Sequence, residues 1–373
     1  MLQPRSSRLK SDIRALVLGS ALMALPVATV LAQSTLPAVS VGAGVRTSFA
    51  HTETDTTPEK TEADDFELNS ARLYVSGKVM DNLSIMFNTE YNTSGETIRV
   101  IDAAAQFSFA DEVNIWVGRF LPPSDRANLY GPYYASHWGV YRDGIQDGYP
   151  FETEGRADGV MYWGQFGIAK VSAGVFDIAG LNKGSTDVMT AARVQLDFWD
   201  PEAGYYLNGT YYGDKDLLAV GVAAQNNAGS NAYSADFLFE KNLHGAGVVT
   251  VEAEYAKYDG LGGYPSPRTT IGGASIAYNS SDGFYLLGAY MLPMEVGIGK
   301  FQVLAKVSKA EYDFTALDTD VDQDTVEVNF NYIMKQFNAR LSAFYIDVDY
   351  DSNIIPGVSL DGKTYGIGLQ VQM

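Results

Sequence analysis

From Ser40 onward, hydrophobic and polar residues alternate in segments of about ten, separated by short polar breaks. A period of two puts successive side chains on opposite faces of an extended strand. Around Leu83 the apolar set is Leu83, Ile85 and Phe87, interleaved with Ser84, Met86, Asn88 and Glu90. Val113, Ile115 and Val117 alternate with Glu112 and Asn114; Val188, Ala192, Val194, Leu196 and Phe198 share a parity opposite to Asp187, Arg193, Gln195 and Asp197. Val249, Val251, Ala253 and Tyr255 oppose Thr250, Glu252 and Glu254, and Val326, Val328, Phe330 and Tyr332 oppose Thr325, Glu327, Asn329 and Asn331.

A soluble sandwich also alternates, but it does not place charges in mid-strand from one end of the chain to the other. A wet lumen accommodates such charges, and lipid accommodates the smooth apolar face. The pattern therefore predicts an all-β fold: a transmembrane antiparallel β-barrel occupying residues 33–373 as one domain. Strands are expected near 40–50, 66–78, 82–92, 97–109, 112–120, 157–163, 167–178, 187–198, 204–212, 216–226, 231–241, 246–258, 268–279, 283–292, 299–312, 324–334, 337–348 and 362–373. That makes about 16–18 strands, the lower figure following if the segments near 204–226 and 258–279 fail to complete theirs. Helical periodicity is not seen after the N-terminal segment. Short connections at Met80-Asp81, Ala110 to Glu112 and Met334 to Gln336 suit one side of a membrane, and longer acidic ones at 51–65, 121–156, 313–323 and 349–361 suit the other. In the final segment Tyr365, Ile367, Leu369, Val371 and Met373 share one face, as in a lipid-facing terminal strand.

The N-terminus adds an address. Arg5, Arg8, Lys10 and Arg14 precede an uncharged run from Ala15 to Ala32 that ends Val30-Leu31-Ala32. This reads as a signal peptide, 1–32, cut before Gln33, and directs the chain to a Gram-negative outer membrane. Mean hydropathy of −0.08 argues against a helical membrane protein. Gly (37), Tyr (24) and Phe (18) are plentiful, as turns and aromatic girdles require, and Cys is absent, which suits a chain crossing an oxidising compartment unfolded. The net charge is −19; the leader holds four bases and one acid, so residues 33–373 carry −22. With no basic excess, nucleic acid is not an expected partner.

Several stretches resemble the phosphate-selective porin O and P family: Ala71–Tyr91 (ARLYVSGKVMDNLSIMFNTEY), Val117–Phe151 (VGRFLPPSDRANLYGPYYASHWGVYRDGIQDGYPF), Leu196–Gln225 (LDFWDPEAGYYLNGTYYGDKDLLAVGVAAQ) and Ala235–Tyr255 (ADFLFEKNLHGAGVVTVEAEY). The likeness covers roughly residues 66–300 and the last strand. The resemblance implies a homotrimer of barrels, each with its own pore narrowed by an inward-folded third extracellular loop. Segment 121–156 is the longest irregular stretch and follows the fifth expected strand. It carries Pro122, Pro123, Gly131, Pro132, Tyr130, Tyr133, Tyr134, Tyr141 and Trp138, an aromatic mass that suits packing on an inner wall.

Alternation makes Arg72, Lys170, Arg193, Lys306 and Arg340 candidate lumenal bases, with Arg119, Arg126, Arg142 and Arg156 at or in the constriction segment. Against them stand Glu90, Asp102, Asp197, Asp236, Glu252, Glu254 and Glu327 in the lumen, and Asp125, Asp143, Asp147, Glu152 and Glu154 in the loop. The pore-lining set is thus Arg119, Asp125, Arg126, Tyr130, Tyr133, Tyr134, Trp138, Arg142 and Asp143 with the five strand bases. No unbroken basic ladder emerges, so the family's phosphate site is not transferred to any residue.

Other chemistry is weakly represented. Asp318, Asp320, Asp322 and Asp324 with Glu327 start like a calcium loop, but Gln323 and Asn329 stand where Gly and Glu belong. A solvated acidic loop, at most bridged through divalent ions to lipopolysaccharide, is the plainer reading, and it serves equally for the acids between Glu53 and Asp65. His51, His137 and His244 fall in three separate connections without Cys or a supporting motif, so no metal site, cofactor or catalytic triad is expected. The expectation is an outer-membrane porin, not an enzyme, passing small hydrophilic solutes and ions, with anions such as phosphate implied by the resemblance and a general or cation-preferring pore by the −22 balance. A non-conducting barrel acting as scaffold, adhesin or sheath is the alternative.

Overall fold

A computed structural model describes residues 38–55, 60–92, 97–140, 142–145, 155–177, 188–259, 268–271, 274–277, 280–314, 319–351 and 361–373. The leader, Tyr141, Asp147, Glu152, Glu154, Asp187 and Asp318 lie outside the described residues.

The strands are β1 (Val39–Asp55), β2 (Lys60–Met80), β3 (Leu83–Asn92), β4 (Thr97–Ala110), β5 (Val113–Phe120), β6 (Ala157–Phe166), β7 (Ala169–Asp177), β8 (Met189–Asp197) and β9 (Leu217–Asn227). They continue as β10 (Ser230–Asn242), β11 (Val248–Asp259), β12 (Arg268–Ile271), β13 (Ala274–Ala277), β14 (Ser280–Val296), β15 (Gly299–Phe314), β16 (Thr319–Lys335), β17 (Ala339–Tyr350) and β18 (Gly362–Gln372). Each barrel strand pairs antiparallel with the next, β11 pairs directly with β14, and β1 pairs with β18, so the sheet closes at 16 strands. Closure leaves no open edge whose backbone groups would face lipid unpaired.

The two surplus strands fail for different reasons. The described residues of 268–279 form β12 and β13, which pair with each other in a sheet separate from the barrel. Residues 204–212 form no strand; their apolar members Tyr205, Leu207 and Tyr212 are buried. Two expected loops are also mostly strand. The acidic stretch 51–65 continues β1 and β2, and Asp320, Asp322 and Asp324 lie in β16, with Asp322 2.6 Å from Lys309 of β15. Among the described residues a short α-helix, α1 (Arg126–Tyr134), and a single 3-10 turn at His244–Ala246 interrupt the all-β pattern.

Burial is the inverse of a soluble protein's. In β16, Glu327 is 3% exposed and Asn329 and Asn331 are fully buried, while Val326, Val328 and Phe330 are exposed. The same holds in β11 and β14, where Glu252, Glu254 and Tyr285 are inside and Tyr255, Phe284 and Leu286 outside. Only an apolar surround rewards that arrangement. Exposed aromatics gather toward both rims, Phe49, Phe66, Tyr255 and Tyr365 at one and Phe109, Phe166 and Trp199 at the other.

The ends of the barrel differ. Connections such as Asp81-Asn82, Asp111-Glu112 and Gly297-Ile298 lie at the end that also carries Ala38 and Met373. At the opposite end β9 and β10 meet in the two-residue turn Ala228-Gly229, both at positive φ (49° and 91°). That left-handed pair matches the twist of a tight hairpin.

Candidate functional site

After β5 the chain turns into the barrel. Leu121, Pro122, Pro123 and Ser124 are buried, and Asp125 caps α1 by accepting a hydrogen bond from the Asn128 N–H at 2.7 Å. Gly131, at φ +60°, kinks the helix ahead of Pro132, which has no N–H to continue it. The kink aims the aromatics at different walls. Tyr133 sits against Gly44 of β1, and its hydroxyl lies 3.1 Å from Ser70 Oγ. Trp138 lies over Gly368 of β18 and stacks on Phe344 at 5.5 Å, while the Arg46 guanidinium covers the indole at 4.4 Å. Tyr134 packs on Phe337 near the terminal end, and Tyr130 is buried in the central core.

Polar and charged side chains of the wall hold the loop. Glu327 accepts from the N–H groups of Trp138 (2.9 Å) and Gly139 (2.8 Å). Arg340 donates to the carbonyls of Ala135 (2.7 Å) and Ser136 (3.0 Å), and Gln370 donates to Tyr133 O. Lys306 reaches Asp143 at 2.5 Å and lies 3.3 Å from His137, which is fully buried. Arg193 forks onto Asp236 and donates to Ser124 O at 3.0 Å. Charge-assisted bonds of this kind fix geometry and exceed neutral ones in strength.

A second segment enters from the terminal end. β8 and β9 continue as a hairpin to Asp200 and Asp216, whose backbones are bonded (3.1 Å), and the chain between them folds inward. Arg126 of α1 grips Glu202 in a fork, 2.9 and 2.5 Å, with both side chains fully buried, and donates to Asn208 O at 2.9 Å. Gly209 N–H donates to Tyr134 O, and Tyr205 hydroxyl to Leu121 O. Burial pushes the Glu202 carboxyl up, yet the charge and hydrogen bonds of Arg126 outweigh it and hold the group below its usual range. Removing either partner would strand a buried charge, at a cost of about 3–5 kcal/mol. Tyr205 and Leu207 join Trp116, Phe120, Leu129, Tyr130, Met161 and Phe176 in one apolar core, so the β4–β8 side of the lumen is packed.

Of the remaining candidates, Arg72 pairs with Glu90, Arg156 with Asp102 at 3.3 Å, and Lys170 is buried near Leu129, Arg193 and Tyr205. Arg119 is a correction. It pairs with Asp158 at 2.7 Å on the outer face of the wall, sharing the parity of Val117, because position 119 of β5 points away from the lumen. Among the described residues no cluster of three or more His, Asp or Glu is placed to hold a metal.

A cavity of about 700 Å³ lies open beside the loop, bounded by β1–β3, β17 and β18. Arg46, Arg72 and Arg142 line it together with Glu67, Glu90 and the edges of Trp138 and Phe344. Arg142 donates to Thr364 Oγ1 at 2.7 Å and, among the described residues, makes no ion pair with a carboxylate. Arg46 and Glu67 were absent from the candidates read off the sequence, although Gly44, Arg46 and Ser48 alternate with Val45 and Phe49 as clearly as the segments that were used.

No family model matches the chain, and no curated protein does. Solved structures do. OmpF of Salmonella typhi, solved in complex with daunomycin, aligns at TM-score 0.60 and 14% identity, over 90% of this chain and 97% of its own. OprB of Pseudomonas putida aligns at 0.60 and 9%, over 90% and 94%, and the anion-selective porin of Comamonas acidovorans at 0.54 and 13%, over 91% and 100%. At these identities the likeness is one of fold: the chain has the barrel architecture of outer-membrane porins.

Proposed function

We propose that this chain is an outer-membrane porin, exported by its leader, that lets small hydrophilic solutes and ions diffuse down their gradients. The observation that carries the reading is a closed barrel, apolar outside and charged inside, with a long loop drawn into the lumen beside an arginine-lined cavity. The fold shared with OmpF, OprB and the anion-selective porin supports it. The loops at the end opposite the termini face the exterior, in contact with lipopolysaccharide, and three barrels associate. Fixed charge selects ions by replacing part of their hydration. Along the cavity Arg46, Arg72 and Arg142 face Glu67 and Glu90, a local excess of one positive charge within a strongly acidic chain, so small anions, phosphate among them, are favoured at this point.

Single-channel recording in a planar bilayer under a salt gradient tests both levels. Stepwise conductance establishes the pore; an anion-biased reversal potential that moves toward cations in Arg142→Gln establishes the preference. A second reading has an observation of its own. The lumen is filled from both ends, as in a non-conducting scaffold or sheath, and a folded, heat-modifiable barrel that gives no steps would favour it.

A further inference from the structure

We infer that the β8–β9 connection is a second constriction element, which enters from the terminal end, seals one side of the lumen and locks the constriction loop in place. The inference rests on reading the barrel as a pore. Neighbouring connections at this end, such as Asp111-Glu112 and Gly297-Ile298, need only two residues to reverse the chain, so reversal does not explain the stretch between Asp200 and Asp216. Its exposed part is limited to Pro201, Ala203 and Gly204 at the rim and Asp214 at its return, while Glu202, Tyr205, Leu207, Gly209 and Thr210 are buried.

Three sets of contacts tie it into the lumen. The Arg126–Glu202 fork joins it to α1, and Gln195 of β8 donates to the same carboxylate at 2.8 Å. Its backbone runs alongside the loop, Leu207 N–H to Leu129 O and Gly209 N–H to Tyr134 O. Glu240 of β10 accepts from Thr210 Oγ1 at 2.6 Å and from the N–H groups of Tyr211 and Gly213, anchoring the returning limb to the wall. A buried carboxylate with that many donors is built to hold backbone in one place. The consequence is a passage confined to the other side of the barrel, where Arg46, Arg72 and Arg142 line the cavity. Selectivity then depends on a segment that never touches the solute.

Two variants of the full-length barrel test this. In the first, residues 201–215 are replaced by Asn-Gly between Asp200 and Asp216, whose hydrogen bond already closes the hairpin. Single-channel conductance is expected to rise about twofold or more, with added flicker from the unlocked loop. Equal conductance in parent and variant overturns the inference while leaving the pore reading intact; silence in both overturns the pore reading and this inference with it. The second test does not depend on conductance. The chain has no Cys, so Leu207→Cys and Ala203→Cys each introduce a single thiol. In folded barrels a water-soluble maleimide is expected to label position 203 and spare 207; labelling of both at the rate of denatured protein would place the segment outside the lumen and overturn the inference even if the excision variant failed to fold.

Discussion

Gly368 and Gly44 illustrate how single residues position the loop. A Cβ at Gly368 would strike the Trp138 indole, and one at Gly44 the Tyr133 ring, so the wall is thinned where the two loop aromatics dock. Gly368→Leu is expected to expel the indole and lower stability by about 1–3 kcal/mol through overpacking. Gly288→Ala, with no atom within 4 Å of its added methyl, serves as the control. Thermal unfolding with tryptophan fluorescence separates the two; equal midpoints would remove Gly368 as a seat. Much at this scale was legible. The charges assigned inward by alternation, from Arg72 and Glu90 to Glu327 and Arg340, are inside, because a strand's period leaves only two choices per residue. What each charge does was not legible. Arg340 and Glu327 hold loop backbone and Lys306 holds the loop side chains Asp143 and His137, instead of lining open water, and only the folded path of residues 121–140 and 142–145 reveals that. Arg119 was placed by its nearness to the loop in sequence, where the parity of Val117 would have put it outside.

The elements divide into those that make the wall and those that fill it. β12–β13 is a separate two-stranded sheet outside the barrel ladder, and Asp259 and Ser280 are already a registered pair, so β11 can be joined to β14 by a two-residue turn. That excision is expected to leave heat-modifiable mobility and the unfolding midpoint unchanged; a barrel that no longer closes would show that the hairpin carries part of the fold. The strand count could not be settled from periodicity, since 204–212 and 268–279 alternate well enough to pass. Alternation reports that two faces differ in environment, and a segment folded into a lumen also has two such faces. For the same reason α1 escaped notice: nine residues broken by Gly131-Pro132, with no polar face left exposed, give no helical period.

For the whole molecule the deciding feature is the inverted distribution of polarity. Val328 faces outward at mid-strand, so Val328→Arg is expected to cost about 2–4 kcal/mol in lipid vesicles. Ser84→Arg, on the lumenal parity of β3, is expected to be tolerated, and equal urea midpoints for the two would contradict a lipid-facing outer surface. Closure also dictates the order of events when the protein is made. The seam between β1 and β18 brings together Thr52 and Thr364, 312 positions apart. The first strand therefore waits, edge open, for the last to arrive, and no shorter piece of the chain can seal itself. An emerging polypeptide of this kind cannot mature segment by segment. It has to be kept from aggregating until its final strand is available, and the membrane must receive it as a finished ring or hold the ring open until the seam is joined.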